Sequence, residues 1–163
     1  MLQFNGPYSE KTPHARLLYR SFDVAQQCSL SKLYEMINEL DQFVDHSPRI
    51  QKAHENIYIY FFGDESREYW IGREITGFVP NSVTDYKVFD SYRGEALSWD
   101  LVDKGRVDNW NLDGWRQHAK QLTSLAGEAL AMTWRVKIGP LEMLTNKKLE
   151  KKPQISFQFF KTH

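Results

Sequence analysis

A chain of 163 residues has the length of one ordinary domain, and its 21 basic and 21 acidic side chains leave no formal net charge. That balance argues against a protein built chiefly to bind nucleic acid, which needs a clustered positive surface. An apolar share of 41% excludes disorder, the single cysteine, Cys28, excludes an internal disulfide, and the aromatic share of 14% is the unusual number.

Residues 1–13 mix Gly6, Pro7 and Pro13 with polar side chains and predict an irregular or edge segment, not a signal peptide. No stretch approaches the roughly 20 apolar residues of a membrane span, so a cytoplasmic protein is expected. Leu17, Leu18, Tyr19, Phe22 and Val24 predict a strand over 15–24. Leu30, Leu33, Met36, Ile37, Leu40, Phe43 and Val44 recur at the three- and four-residue steps of an amphipathic helix. Lys32, Glu35, Glu39 and Asp41 fall on its other faces and should be solvated. The strand 57–62 is apolar on both sides, with Ile57, Ile59 and Phe61 one way and Tyr58, Tyr60 and Phe62 the other. Strands 69–79 and 84–92 follow, and the Arg93-Gly94 turn into 95–102 predicts a hairpin with the strand before it. Leu112, Trp115, Ala119, Leu122 and Leu125 make the stripe of a second helix over 112–126, with Asn111 to cap it and Gly127 to stop it. Over 130–138, Leu130, Met132, Trp134, Val136 and Ile138 alternate with Ala131, Thr133, Arg135 and Lys137, the pattern of a half-buried strand. A last strand covers 155–160.

Strand, helix, strand, strand therefore occurs twice, over about 14–80 and 84–160. The predicted fold is α+β: two such units forming one antiparallel-sheet domain, with helices on one face. Coincidence in an ordinary α+β domain is the alternative to duplication. A sheet covered on one side should be polar on the other. Here that other side offers Tyr58, Tyr60 and Phe62, joined by Trp70 and Phe78 if the next strand is in register. Such a face is either an aromatic ligand groove or plain core under a cover. Glu74 alternates in phase with Trp70 and Phe78. A carboxylate among aromatics is costly to bury unpaired. It either binds a cation, by charge and through the ring faces, or pairs with Arg73, Arg135 or another basic residue.

Chemistry is sparse elsewhere. There is no Gly-rich phosphate loop and no nucleophile elbow, and none of the five histidines has a His or Cys partner at metal-ligand spacing. No catalytic residue, metal or cofactor is expected. Asp100, Asp103, Asp108 and Asp113 are dense enough for an acid/base pair, but acids at strand ends and loops usually serve solvation. His118 reads as a helix-surface residue, and the 147–152 lysine run as a solvated loop.

Three segments resemble a known family. These are Ile57-Tyr58-Ile59-Tyr60-Phe61-Phe62-Gly63-Asp64, Ile75-Thr76-Gly77-Phe78-Val79-Pro80, and Gly94-Glu95-Ala96 through Lys104-Gly105 ahead of a Trp-bearing helix. With the doubled element order, they are similar to the GyrI-like, or AraC-type, effector-binding domain, which also serves as the multidrug-binding domain of MerR-type regulators. The resemblance covers about residues 14–160. It implies a non-enzymatic module that binds a small hydrophobic or aromatic molecule, a cation being one option. Tyr58, Tyr60, Phe62, Trp70, Glu74 and Phe78 would line the groove, with Trp99 and Trp134 as further candidates. The family often carries a Glu in its last strand that contacts cationic ligands. Ile155-Ser156-Phe157-Gln158-Phe159 has none, so Glu74 would have to substitute. Two alternatives stand beside this reading. The aromatic face could bind a regulatory protein or a second copy of the chain. An enzyme of the lipid-binding cyclase type would need a closing C-terminal helix where the pattern predicts a strand.

Overall fold

The computed structural model describes residues 3–23, 30–63, 66–79, 85–91, 93–102, 112–139 and 154–162, with backbone alone at 30, 31, 112 and 113. Cys28, Asp103, Asp108, Asn111, the turn residues Asp64 and Glu65, and the 147–152 run lie outside the described residues, as does the side chain of Asp113. In chain order the elements are β1 (Phe4–Thr12), β2 (Ala15–Asp23), α1 (Leu30–Asp45), β3 (Ile50–Lys52), β4 (Ile57–Phe62), β5 (Glu68–Gly77), β6 (Lys87–Ser91), β7 (Gly94–Leu101), α2 (Leu112–Ser124), β8 (Leu130–Ile138) and β9 (Ile155–Lys161).

The apolar stripe of α1 does what its spacing requires: Leu33, Met36, Ile37, Leu40 and Val44 are buried. Trp115, Ala119 and Leu122 of α2 join Leu33, Met36 and Ile37 in one core with Ile57, Ile59, Phe61, Tyr69, Ile71, Val136, Phe157 and Phe159. Both helices therefore cover the same face of the sheet. Leu125 lies past the end of α2 and is 71% exposed, so the stripe stops one turn earlier than its periodicity suggests. Asp41 is not solvated as expected. It takes a forked pair of bonds from Arg73 of β5, Nε to Oδ1 at 2.6 Å and Nη2 to Oδ2 at 3.1 Å.

The strands form one antiparallel sheet in the order β1-β7-β9-β8-β4-β5-β2-β6, with β3 paired to β5. At its centre β4 runs against β8, Ile57 opposite Ile138 and Phe62 opposite Thr133. The predicted hairpin of 84–92 with 95–102 does not form. β6 pairs with β2, and β7 lies between β1 and β9. The tight turn is a local signal, and burial overrides it. Phe89 of β6 packs edge-on to Tyr60 and Trp70, whereas Leu97, Trp99 and Leu101 of β7 pack in the helix-facing core. The opening residues form an edge strand, β1, on β7, with a break in register between Asn5 and Tyr8.

Two strands near opposite ends of this order, β1 and β2, are joined by Pro13 and His14 alone. Thr12 and Ala15 thus lie within about 11 Å, the reach of three extended residues. The sheet must curl to allow it. The helices take the outer face, and the residues pointing away from them converge. Tyr58 and Tyr60 are 4% and 2% exposed, packed among Leu17, Tyr19, Phe62, Trp70, Phe89 and Phe160. Residues 155–161 form β9 within the sheet, a strand as the pattern predicted and not the helix that a cyclase-type arrangement would place there.

Candidate ligand-binding site

The converging face is built by strand alternation. Across β4 and β5, Tyr58 opposes Gly72 and Tyr60 opposes Trp70; across β5 and β2, Glu74 opposes Leu17 and Gly72 opposes Tyr19. These side chains therefore share one side of the pleat. Gly72 is required at the crossing, because a Cβ there would run into the Leu18 carbonyl oxygen and crowd the Tyr19 Cβ. Its bare backbone lets Tyr19 lie flat on Trp70, ring centroids 3.8 Å apart at 17°. Glu68 holds the other edge of the indole, accepting from Trp70 Nε1 at 2.7 Å and from the Ser21 hydroxyl at 2.6 Å. Phe62 and Phe89 stand edge-on to Trp70 at 4.4 and 5.6 Å, and Phe160 stacks toward Tyr60 at 6.3 Å.

An ion pair sits in the middle of these rings. Arg135 of β8 places its guanidinium carbon 4.3 Å from the centroid of Tyr58, 5.3 Å from Phe160 and 5.7 Å from Tyr60. Its Nε donates to Gln158 Oε1 at 2.6 Å and its Nη1 to the Tyr60 hydroxyl oxygen at 2.7 Å. The same Nη1 lies 3.7 Å from Glu74 Oε1, and His54 Nε2 lies 3.6 Å from Glu74 Oε2. The side chains of Arg135 and Glu74 are only 7% and 12% exposed. Burial pushes the Glu74 carboxyl up. The bond from His54, the Arg135 charge and the Tyr58 hydroxyl outweigh it and hold the group below the usual carboxylate value. The Tyr58 and Tyr60 phenols move the other way. Burial raises both, and Arg135 draws them back only in part.

Beyond Arg135 the face becomes polar. Gln158 Nε2 and the Ser98 hydroxyl both donate to Glu10 Oε1, the latter at 2.9 Å. The Tyr8 and Ser156 hydroxyls donate to Asp100 Oδ1 at 2.8 and 2.7 Å. Asp100 is thus held by neutral donors in this network. His118 lies on α2, 5.9 Å from the Phe4 ring, where burial lowers its pKa.

Five of the seven residues expected to line a groove come together here: Tyr58, Tyr60, Phe62, Trp70 and Glu74. The other two do not. Phe78 follows Gly77 beyond the end of β5 and is 58% exposed. Trp99 points to the helix side, edge-on to Phe159 at 5.5 Å. Trp134 is on that side too, stacked on Phe61 at 4.2 Å. Of the basic residues weighed against Glu74, Arg135 is the partner; Arg73 points to the helix side and belongs to Asp41. Sequence reasoning missed Tyr19, Phe89, Gln158 and Phe160, and it offered Arg135 as one of several bases for Glu74 without placing it among the rings. Alternation in β9, Ser156-Gln158-Phe160 against Ile155-Phe157-Phe159, carried part of that signal.

Glu74 also lines a cleft of about 440 Å3, with His14, Arg16, Ala53 and Thr76. A larger cleft of about 700 Å3, at Lys11, Arg93, Glu95 and Lys161, has no aromatic lining. Its Lys161 is already paired with Glu95 and Glu128, at 3.6 and 3.5 Å. Among the described residues no three His, Cys, Asp or Glu side chains cluster as metal ligands, and no helix is long and apolar enough to cross a membrane.

No family model and no curated protein sequence matches the chain. Solved structures do. The EcmrR C-terminal domain superposes with a TM-score of 0.68 at 14% identity, covering 99% of both chains. EcmrR in its complex with DNA gives 0.67 at 15% identity; there the chain spans 58% of the EcmrR length. SAV2435 bound to tetraphenylphosphonium gives 0.58 at 8% identity, covering 96% of this chain and 94% of that one. The likeness is one of fold, and it supports the GyrI-like effector-binding fold that the sequence resemblance implied.

Proposed function

We propose that this chain is a non-enzymatic module that binds a small hydrophobic or aromatic molecule on the curled face of its sheet. The observation that carries the reading is the ring cluster around Trp70 and Tyr60 with a single buried ion pair, Arg135 and Glu74, at its centre. Pockets for small molecules have this composition: mostly apolar and aromatic walls, and few polar groups that fix orientation. Trp70 is pre-set by Tyr19 and Glu68, so little side-chain entropy is lost when a ligand meets it. The neighbour SAV2435, bound to tetraphenylphosphonium, supports the same use of the fold. Against catalysis, the Glu74 carboxylate is tied to three neighbouring side chains, and Tyr58 and Tyr60 are held as phenols. We further propose that the two units, about 14–80 and 84–160, form a single domain that arose by duplication.

Intrinsic tryptophan fluorescence tests the reading. Titration with a panel that includes tetraphenylphosphonium and uncharged aromatic compounds should give a saturable change for at least one member. Trp70→Phe should abolish that change, and Trp134→Phe, in the opposite core, should retain it. A flat response to every compound would sink the proposal.

A further inference from the structure

We infer that Arg135 sets the ligand class of this face: it occupies the place an organic cation would take, so the site selects uncharged aromatic molecules. The inference rests on the small-molecule reading above and concerns the same site. An organic cation entering an aromatic site gains from two features, the negative faces of the rings and a nearby carboxylate. Both are already in use. The guanidinium lies over Tyr58, Phe160 and Tyr60 and next to Glu74. It is locked there by Gln158 and the Tyr60 hydroxyl, so withdrawing it would break two short hydrogen bonds as well as the pair. A second cation would meet like charge in a site where water screens little. An anion fares no better, because Glu74 lies in the cluster and Glu10 and Asp100 lie on the same face beyond Gln158. The pair is internally neutral. What it leaves is the exposed part of Phe62, Trp70, Phe89 and Phe160, all packed against the buried tyrosines. That rim is a surface for a flat molecule without charge.

The test uses three compounds of one shape: naphthalene-2-carboxamide, N-methylquinolinium and naphthalene-2-carboxylate. Binding is measured by isothermal titration calorimetry to the wild-type chain and to Arg135→Gln, Arg135→Lys and Arg135→Gln/Glu74→Gln. The wild type should bind the carboxamide at least about tenfold more tightly than either ion. Arg135→Gln should reverse the order of carboxamide and cation, because the ring faces and Glu74 are released. Arg135→Lys keeps a positive charge in the site and should still exclude the cation. The double variant should lose the gained cation affinity. If Arg135→Gln is too unstable for calorimetric titration, N-methylquinolinium should raise its melting temperature and leave that of the wild type unchanged. Equal binding of cation and carboxamide by the wild type, or no gain of cation affinity in Arg135→Gln, overturns the inference. Carboxamide binding in that case would leave the small-molecule reading intact. No binding of any compound to any variant would overturn both.

Discussion

Glu74 illustrates how one carboxylate is made compatible with burial. Its desolvation is offset by His54, Arg135 and Tyr58, and the net effect is a pKa below the usual value. The folded state therefore prefers the ionised form. Its contribution to stability is complete above the unfolded carboxyl pKa, about 4.3, and is lost as pH falls through the lower folded value. Glu68 is shifted the same way, by the Ser21 and Trp70 hydrogen bonds, and adds to that acid-side loss. Glu74→Gln should thus show a shallower fall in stability below pH 5 than the wild type, in urea melts at successive pH values. At pH 7 it should be less stable by about 2 kcal/mol, the order of one hydrogen bond to a charged group. A parallel pair of pH curves would show that Glu74 is not ionised in preference when folded. Much of this was legible from residue types: a carboxylate in phase with aromatics needs a partner. Which base supplied it was not, because Arg135 lies 61 positions away and only the pairing of β4 with β8 brings it over Tyr58.

Helix α1 is held to the sheet by more than its apolar stripe. Arg73 is 5% exposed, and its charge is met by Asp41 and by the Glu55 carbonyl oxygen at 2.9 Å. Removing one partner strands a buried charge, which costs more than the pair is worth in net terms. Asp41→Ala should destabilise the chain by about 3 kcal/mol. Arg73→Met on that background should recover part of the loss, and a double-mutant cycle by chemical denaturation checks both. No recovery would mean that Asp41 acts on α1 alone. Strand β8 is the counterpart on the other side. Its alternation predicted one buried face, and Trp134, Val136 and Ile138 occupy it, but Arg135 is buried as well, and Met132, near an irregularity in the β8–β9 register, is 77% exposed. Period-2 patterning reports polarity, and a buried, satisfied arginine looks identical to a solvated one.

Over the whole molecule the two units are interlaced. The strand at the start of the second unit, β6, pairs with β2 of the first, and the strand that opens the chain, β1, pairs with β7 of the second. The β4–β8 pairing then joins them at the centre. Neither unit completes its edge without the other, so calorimetry should show one transition, with calorimetric and van't Hoff enthalpies equal. Two resolved transitions would show that the halves fold separately and that the single-domain proposal is wrong.

Local periodicity alone determined the helices, most of the strands, their doubled order, and the aromatic side of β4 and β5, because amphipathic spacing and alternation are properties of neighbouring residues. The long-range pairings were decided only in the tertiary structure. They moved β6 from a hairpin to the far edge, turned Trp99 toward the helices, and curled the sheet through the short Pro13-His14 link. They also set Arg135 into the rings beside Glu74. The physical reason is that a strand's partner is chosen by the burial of the whole sheet, and charge pairing across strands follows from that choice, not from distance along the chain.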